Sequence, residues 1–268
     1  MTGSCTNALY FADDDMLGSE RWQIDGLPNL WLRGRPPVDD PYTICLGGGA
    51  TFGRHVERTY AAQLGAVNLG IGDASPATFR DPRLLAVIDR AEQVILQIPT
   101  ARNESTIAWK QSTNVDGLPC QLVEIETFPT TSDRAWQFML DSDRLPEIVA
   151  SARESWVRQM RLLIAEIAPP VTLLWLSCRR PSETVIPPRR RPRTLHQLYN
   201  RYPQLITPAM LAEIVPLADR YVESIWRQQS GEYYPTQSAH NLAAELLGDC
   251  YRPHVPQVQR LPRAIFQP

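Results

Sequence analysis

Four short apolar runs, separated by longer amphipathic segments, constrain this chain more than any other feature. They are "YTICLG" at 42–47, "AVNLG" at 66–70, "QVILQI" at 93–98 and "VTLLWLS" at 171–177. Such alternation is the sign of β-α units wound around a parallel sheet. The connecting segments carry helical spacing. "ERTYAAQLG" ends on Gly65, a helix stop, and "PRLLAVIDRAE" puts Leu84, Leu85, Ile88 and Ala91 on one face. "PEIVASARESWVRQMRLLIAEIAPP" has Pro146 in its first turn and Pro169-Pro170 at its end. Its stripe of Ile148, Ala152, Trp156, Met160, Leu163 and Ile167 reads as core packing. The expected class is α/β.

The chain has 268 residues, 43% of them hydrophobic, enough for a normal buried core. Residues 1–41 are polar and rich in Asp, Gly and Pro, with Trp22 and Trp31 as anchors and Tyr42 just beyond. They read as an arm of little regular structure laid over the body. The α/β domain is expected over 42–252. It carries an insertion at about 104–145, in which "QLVEIETF" offers an additional strand, and a Pro/Arg-rich loop at 178–194 followed by a helical stretch. Residues 253–268 read as a tail.

A net charge of −2 and a pI near 6.1 argue against nucleic-acid and acidic-membrane partners. The five cysteines, Cys5, Cys45, Cys120, Cys178 and Cys250, never form CxxC, which disfavours both a zinc site and a disulfide framework. Reduced thiols and a start without a basic-then-apolar signal pattern give a cytoplasmic expectation. No window approaches the ~20 apolar residues of a membrane span. No cofactor and no metal are expected.

The first run ends in "CLGGGATFG", residues 45–53. A phosphate-binding P-loop would end in Lys followed by Ser or Thr, but Arg54-His55 follow Gly53. A GxGxxG dinucleotide loop needs glycine where Phe52 stands, and no acidic residue closes a second strand to read a ribose. What remains is a loop that brings bare backbone N–H groups to a strand end, suited to an anion or a carbonyl oxygen. The alternative is a tight turn that simply needs positive φ.

"GGGATFG" resembles the GDSxTxG loop of the SGNH/GDSL hydrolases through Gly47, Thr51 and Gly53. The resemblance puts Gly48 where that family has Asp, and Gly49 where it has the nucleophilic Ser. "VNLGIGDASP" is similar to the family's second block and would make Gly72 the oxyanion glycine. "VILQIPTARNES" is similar to the third, where counting sets the Asn position on Ala101 and a shift of two residues brings in Asn103. "EYYPTQSAHNLAAELLG" is similar to the last: Pro235 and His240 match, Tyr234 replaces the catalytic His and Gly231 its Asp partner. The loop is also similar to that of bacterial proteins of unknown function with a glycine-rich TFG motif. The resemblance implies a three-layer α/β/α fold with a flavodoxin-like parallel sheet and a catalytic set that is not retained.

The expected function is therefore an SGNH-like protein without the triad, binding a small anionic or carbohydrate-like ligand. Its pocket would comprise Gly48, Gly49, Thr51, Gly72, Asp73, Asn103, Tyr234 and His240. Thr51 and His240 are the weak catalytic candidates, although Asp73 also reads as a helix cap and His240 as a packed structural residue. Arg179, Arg180, Arg189 and Arg190 form a candidate anion-binding loop, whose alternative is plain solvation. Two other readings stay open. One is an active hydrolase or acyltransferase with a rearranged set, using Thr51 or an acidic residue of the insertion with His240 or His196 as base. The other is an assembly protein that meets a protein partner through the N-terminal arm and the Arg-rich loop.

Overall fold

The structure is a computed structural model that describes residues 20–28, 30–38, 41–110, 120–122, 129–130, 132–182, 191–199, 201–227 and 235–251. The arm opens with a two-stranded antiparallel pair, β1 (Arg21–Trp22) and β2 (Leu32–Arg33). The central sheet follows: β3 (Thr43–Gly47), β4 (Val67–Gly70) and β5 (Gln93–Gln97). A three-stranded antiparallel sheet in the insertion is formed by β6 (Trp109–Lys110), β7 (Cys120–Leu122) and β8 (Pro129–Thr130). The chain then returns to the central sheet with β9 (Val171–Ser177) and β10 (Arg220–Ile225). All five central strands are parallel, in the order β10-β9-β5-β3-β4. Taken by position along the chain, that is the flavodoxin-like order 2-1-3-4-5.

Helices cover both faces, so the fold is a three-layer α/β/α arrangement. Side chains alternate along each strand, and two core clusters result. Ile44, Leu46, Val94, Leu96, Leu173 and Trp175 face a layer that contains α3 (Pro82–Ile88), α5 (Leu145–Glu166) and α7 (Pro208–Ile214). Cys45, Ile95, Leu174 and Leu176 face α2 (Tyr60–Gln63) and α8 (Gln237–Tyr251). The remaining helices are α1 (Gly49–Phe52), α4 (Ser132–Met139) and α6 (Leu195–Tyr199). The stripe expected on α5 is buried, from Ile148 through Trp156 to Leu163. Among the described residues no helix is long and apolar enough to cross a membrane.

Two features differ from the sequence reading. β10 lies in a stretch read as helical, because Arg220 and Glu223 sit at exposed positions of this edge strand and break up its apolar alternation. The arm is also more than a cover: Trp22, Ile24, Leu27, Leu30 and Leu32 are buried in the larger core cluster.

The glycine loop owes its geometry to the register between β3 and β4, which sets Gly47 beside Gly70. A Cβ on Gly70 would lie 2.2 Å from the backbone N of Phe52, and one on Gly47 would lie 2.1 Å from Thr51 Oγ1. The two glycines are thus a floor on which the backbone of α1 rests. Gly53 ends α1 in the left-handed region, at φ 71°. Gly48 and Gly49 are different, since their φ values are not positive and an added Cβ meets nothing within 4 Å among the described residues. The positive-φ reading of the triple glycine therefore fails at all three positions. Gly70→Ala is expected to lower stability by more than about 3 kcal/mol through a backbone clash that cannot relax. Gly49→Ala should be neutral or stabilising by up to about 1 kcal/mol. Urea midpoints of the two variants check the contrast.

Candidate functional site

In an open parallel sheet of this order, ligands settle outside the strand C-termini at the switch point, here between β3 and β5. Gly48 and Gly49 leave the end of β3 there. Gly72 and Asp73 follow β4, and Arg102, Asn103 and Glu104 follow β5. Because β4 and β5 flank β3, the ion pair from Arg102 Nη2 to Asp73 Oδ1, 2.8 Å, spans the front of the β3 end. Arg102 Nη1 also holds Asp133 Oδ1 at 3.0 Å, and the Tyr199 hydroxyl donates to the same oxygen at 3.0 Å. Asp73 and Asp133 keep 41% and 50% of their side-chain surface exposed, so this rim presents more carboxylate than guanidinium to solvent. Asp73 itself adopts a left-handed φ of 56°. The capping expected of it falls to Ser75 instead, which forms a capping box with Thr78 before the 3₁₀ turn Pro76–Arg80.

Beneath the loop the polar groups are already paired. Gln97, fully buried at the end of β5, accepts from Gly48 N at 3.3 Å and from Thr51 Oγ1 at 3.4 Å. Thr51 Oγ1 also lies 2.9 Å from the Tyr60 hydroxyl. Thr51 was expected at the pocket rim as a weak nucleophile candidate. It is completely buried, pointing into the floor at Gly47.

His240 is likewise buried, on the first turns of α8. Its ring stacks on Tyr60 with centroids 5.6 Å apart, and its Nδ1 accepts the backbone N–H of Tyr60 at 3.1 Å. The imidazole therefore works as an acceptor for the first turn of α2, a task only its neutral form performs. Burial, reinforced by the nearby charge of Arg33, lowers its pKa to about 4. This is the structural role foreseen for it, and it leaves no lone pair for a general base. Arg33 reaches across from the arm to donate Nη1 to the carbonyls of Phe52 and Gly53, and Nη2 to those of Val56 and Glu57 at 2.8 and 2.9 Å. It fixes the chain that leaves α1, and the sequence reading had no role for it.

Of the candidate anion-binding loop, Arg179 and Arg180 lie among the described residues. Arg179 is buried against Trp175, and its Nη2 donates to the carbonyls of Pro203 and Ile206 at 3.2 and 2.8 Å. It is a structural strut for the turn before α7. Arg180 is exposed beyond β9. Arg189 and Arg190, and also Tyr234 and Gly231, lie outside the described residues. Asn103 is buried at 1% exposure, inside the loop rather than on its surface. No group of three metal-ligating side chains occurs among the described residues. A cleft of about 860 Å³ opens elsewhere, between Arg33–Val38 of the arm and the edge of the sheet at Ala66–Asn68.

The sequence profile of the family described as a domain of unknown function (DUF6473) matches residues 26–110 and 138–257. The chain belongs to this family. The match begins inside the arm, ahead of Arg33, and skips 111–137, within the expected insertion. No curated protein matches the chain significantly. A crystal structure of a protein from Lactobacillus plantarum, structural-genomics target LpR109, is similar at 10% identity and a TM-score of 0.40, over 81% of this chain and 98% of that one. At that score the likeness bears on no residue of the site.

One buried group in these loops was not singled out from the sequence. Glu104 is 2% exposed; its Oε2 accepts from Ser155 Oγ at 3.0 Å, and its Oε1 has no hydrogen-bond partner among the described residues. Burial pushes its pKa up to about 7, against weaker opposing effects of the Ser155 hydroxyl, the Arg158 charge and the Ser75 hydroxyl. Its position directly after Asn103 in the third block was the available signal.

Glu104 and His240 have opposite linkage. A carboxyl with a raised folded pKa contributes stability that is complete below its unfolded pKa and is lost as pH rises through about 7. A histidine with a depressed folded pKa contributes stability that is present above its unfolded value and lost as pH falls through about 4. In the window between about pH 4.5 and 6.5 the two offset each other. Glu104→Gln should therefore make the protein more acid-sensitive than wild type, by about 2–3 kcal/mol between pH 6.5 and 4.5. Urea denaturation across that range provides the measurement, and parallel curves for the two proteins would refute the assignment.

Proposed function

We propose that this chain is an SGNH-hydrolase-like protein without the Ser-His-Asp set, and that it binds a small polyhydroxylated, carbohydrate-like ligand at its strand ends. The observation that carries the reading is the rim itself. Two half-exposed carboxylates, Asp73 and Asp133, are held by one guanidinium in front of β3, beside a loop with open space above Gly49. Fixed carboxylate oxygens accept hydrogen bonds from ligand hydroxyls, and Arg102 keeps them in place.

An anionic ligand is the less favoured choice. The Gly48 amide is taken by Gln97, Arg179 is taken by backbone carbonyls, and Arg102 faces two carboxylates. Hydrolysis is less favoured as well. Position 49 has no hydroxyl, Thr51 is buried, and the His240 lone pair is used by Tyr60. An acyl-transfer mechanism needs a nucleophile and a base in contact with each other.

Thermal unfolding with glucose, N-acetylglucosamine or inorganic phosphate tests the reading. A ligand present at ten times its Kd stabilises by about 1.4 kcal/mol, or about 3–6 °C for a chain of this size. The shift is expected with a sugar and absent with phosphate, and Gly49→Leu, which fills the space above the loop, should remove it. A shift with phosphate alone would replace the sugar with an anion. In parallel, wild type and Gly49→Ser should both hydrolyse p-nitrophenyl acetate no faster than buffer; turnover by wild type would restore the hydrolase reading.

A further inference from the structure

Away from the strand ends, α7 packs against the outer side of α5 and leaves a groove of about 590 Å³. Its floor is apolar, formed by Val157, Leu162 and Met210, and its walls carry three arginines, Arg153, Arg158 and Arg161, against two carboxylates, Glu154 and Glu213, a net positive lining. The arginines differ in how their charge is met. Arg161 lies 3.6 Å from Glu213 across the groove. Among the described residues neither Arg153 nor Arg158 forms an ion pair; Arg158 Nη2 makes a long contact of 3.4 Å to Ser155 Oγ, and its charge acts on the buried Glu104 only from beyond ion-pair distance.

Arg153 is the more telling of the two. It is half-buried, and burial lowers its pKa. Its Nε donates to the carbonyl of Leu205 at 3.0 Å, which fixes the plane of the guanidinium. Leu205 holds a left-handed φ of 66° in presenting that carbonyl. Among the described residues, neither terminal nitrogen of Arg153 has a hydrogen-bond partner. Four other arginines withdrawn from solvent behave differently. Arg33 gives its terminal nitrogens to four carbonyls, Arg80 to Glu166 and Gln159, Arg102 to two carboxylates, and Arg179 to two carbonyls. A partly desolvated cation without a counter-charge is unfavourable unless something supplies one. An oriented guanidinium offers two parallel donors that match a carboxylate.

We infer that the α5–α7 groove is a binding site for a small amphiphilic carboxylate, its head group paired with Arg153 and Arg158 and its apolar tail laid on Val157, Leu162 and Met210. The volume lies within the range of small-molecule sites. Charge complementarity selects the head group, and the three apolar side chains select the tail. The site is separate from the strand-end rim, so neither proposal depends on the other.

The test is calorimetric titration of the full chain with octanoate, and with octanol, octylammonium and inorganic phosphate as controls. Saturable binding of octanoate at one site is expected, with none for octylammonium and much weaker binding for octanol and phosphate. Losing a charge-assisted hydrogen bond should weaken octanoate by at least about tenfold in Arg153→Gln, and Arg158→Gln should weaken it in the same direction. Arg158 is exposed, so its variant keeps the fold and decides the matter if Arg153→Gln does not. Met210→Glu, which carries a negative charge into the groove, should abolish binding. Absence of saturable octanoate binding, an affinity unchanged in Arg158→Gln, or phosphate binding as tight as octanoate would each overturn the proposal. So would a concentration-dependent dimer that dissociates in Arg158→Gln, which would assign the groove to a second copy of the chain.

Discussion

The approach of α1 to the sheet is the contact on which the site depends. Backbone can lie directly on backbone there because Gly47 and Gly70 are paired across β3 and β4 and neither carries a side chain. That closeness puts Thr51 within reach of Gln97 and Tyr60, turns its hydroxyl inward, and sends the chain on through Gly53 toward α2. A methyl group in the floor would lift the whole turn. The space beside Gly49 exists because the loop is held from below and from behind, with no side chain of the described residues within 4 Å of where its Cβ would stand.

The same economy governs the polar side chains around the loop. Arg33, Gln97 and His240 carry functional groups that many binding sites turn toward a ligand, yet here all three bond to the protein. His240 shows most clearly what this means for chemistry. An imidazole whose Nδ1 receives a helix N–H, in a dry setting beside a cation, stays neutral and keeps its lone pair occupied. The carboxylates beyond the loop, Asp73 and Asp133, are paired as well, but they keep 41% and 50% of their side-chain surface open to solvent.

Much of the fold was legible because buried parallel strands are written as short continuous apolar runs, and four of the five were found within a residue or so of their bounds. The fifth, β10, is an edge strand whose charged positions face solvent, so it lacks that signature. Locating the glycine loop at a strand end was likewise within reach of the sequence. What the residues there do was not. Whether Arg179 meets an anion or a carbonyl, and whether Thr51 faces out or in, depends on which chain segment packs above it, and that is set by contacts tens of residues away. Arg33 was missed for the same reason: its four acceptors are backbone carbonyls, which leave no trace in a sequence pattern.

Arg33 also bears on where this domain begins. A boundary drawn at the first sheet strand would look natural, but it would cut away the cation that ties together the carbonyls between Phe52 and Glu57. Those oxygens would then face an interior with no donor for them, and the turn would have to open toward water to be satisfied. Strand and arm are therefore a single unit of inheritance: any recombination, truncation or expression boundary that separates them would produce a sheet that can still pair its strands but has lost the shape of its glycine turn.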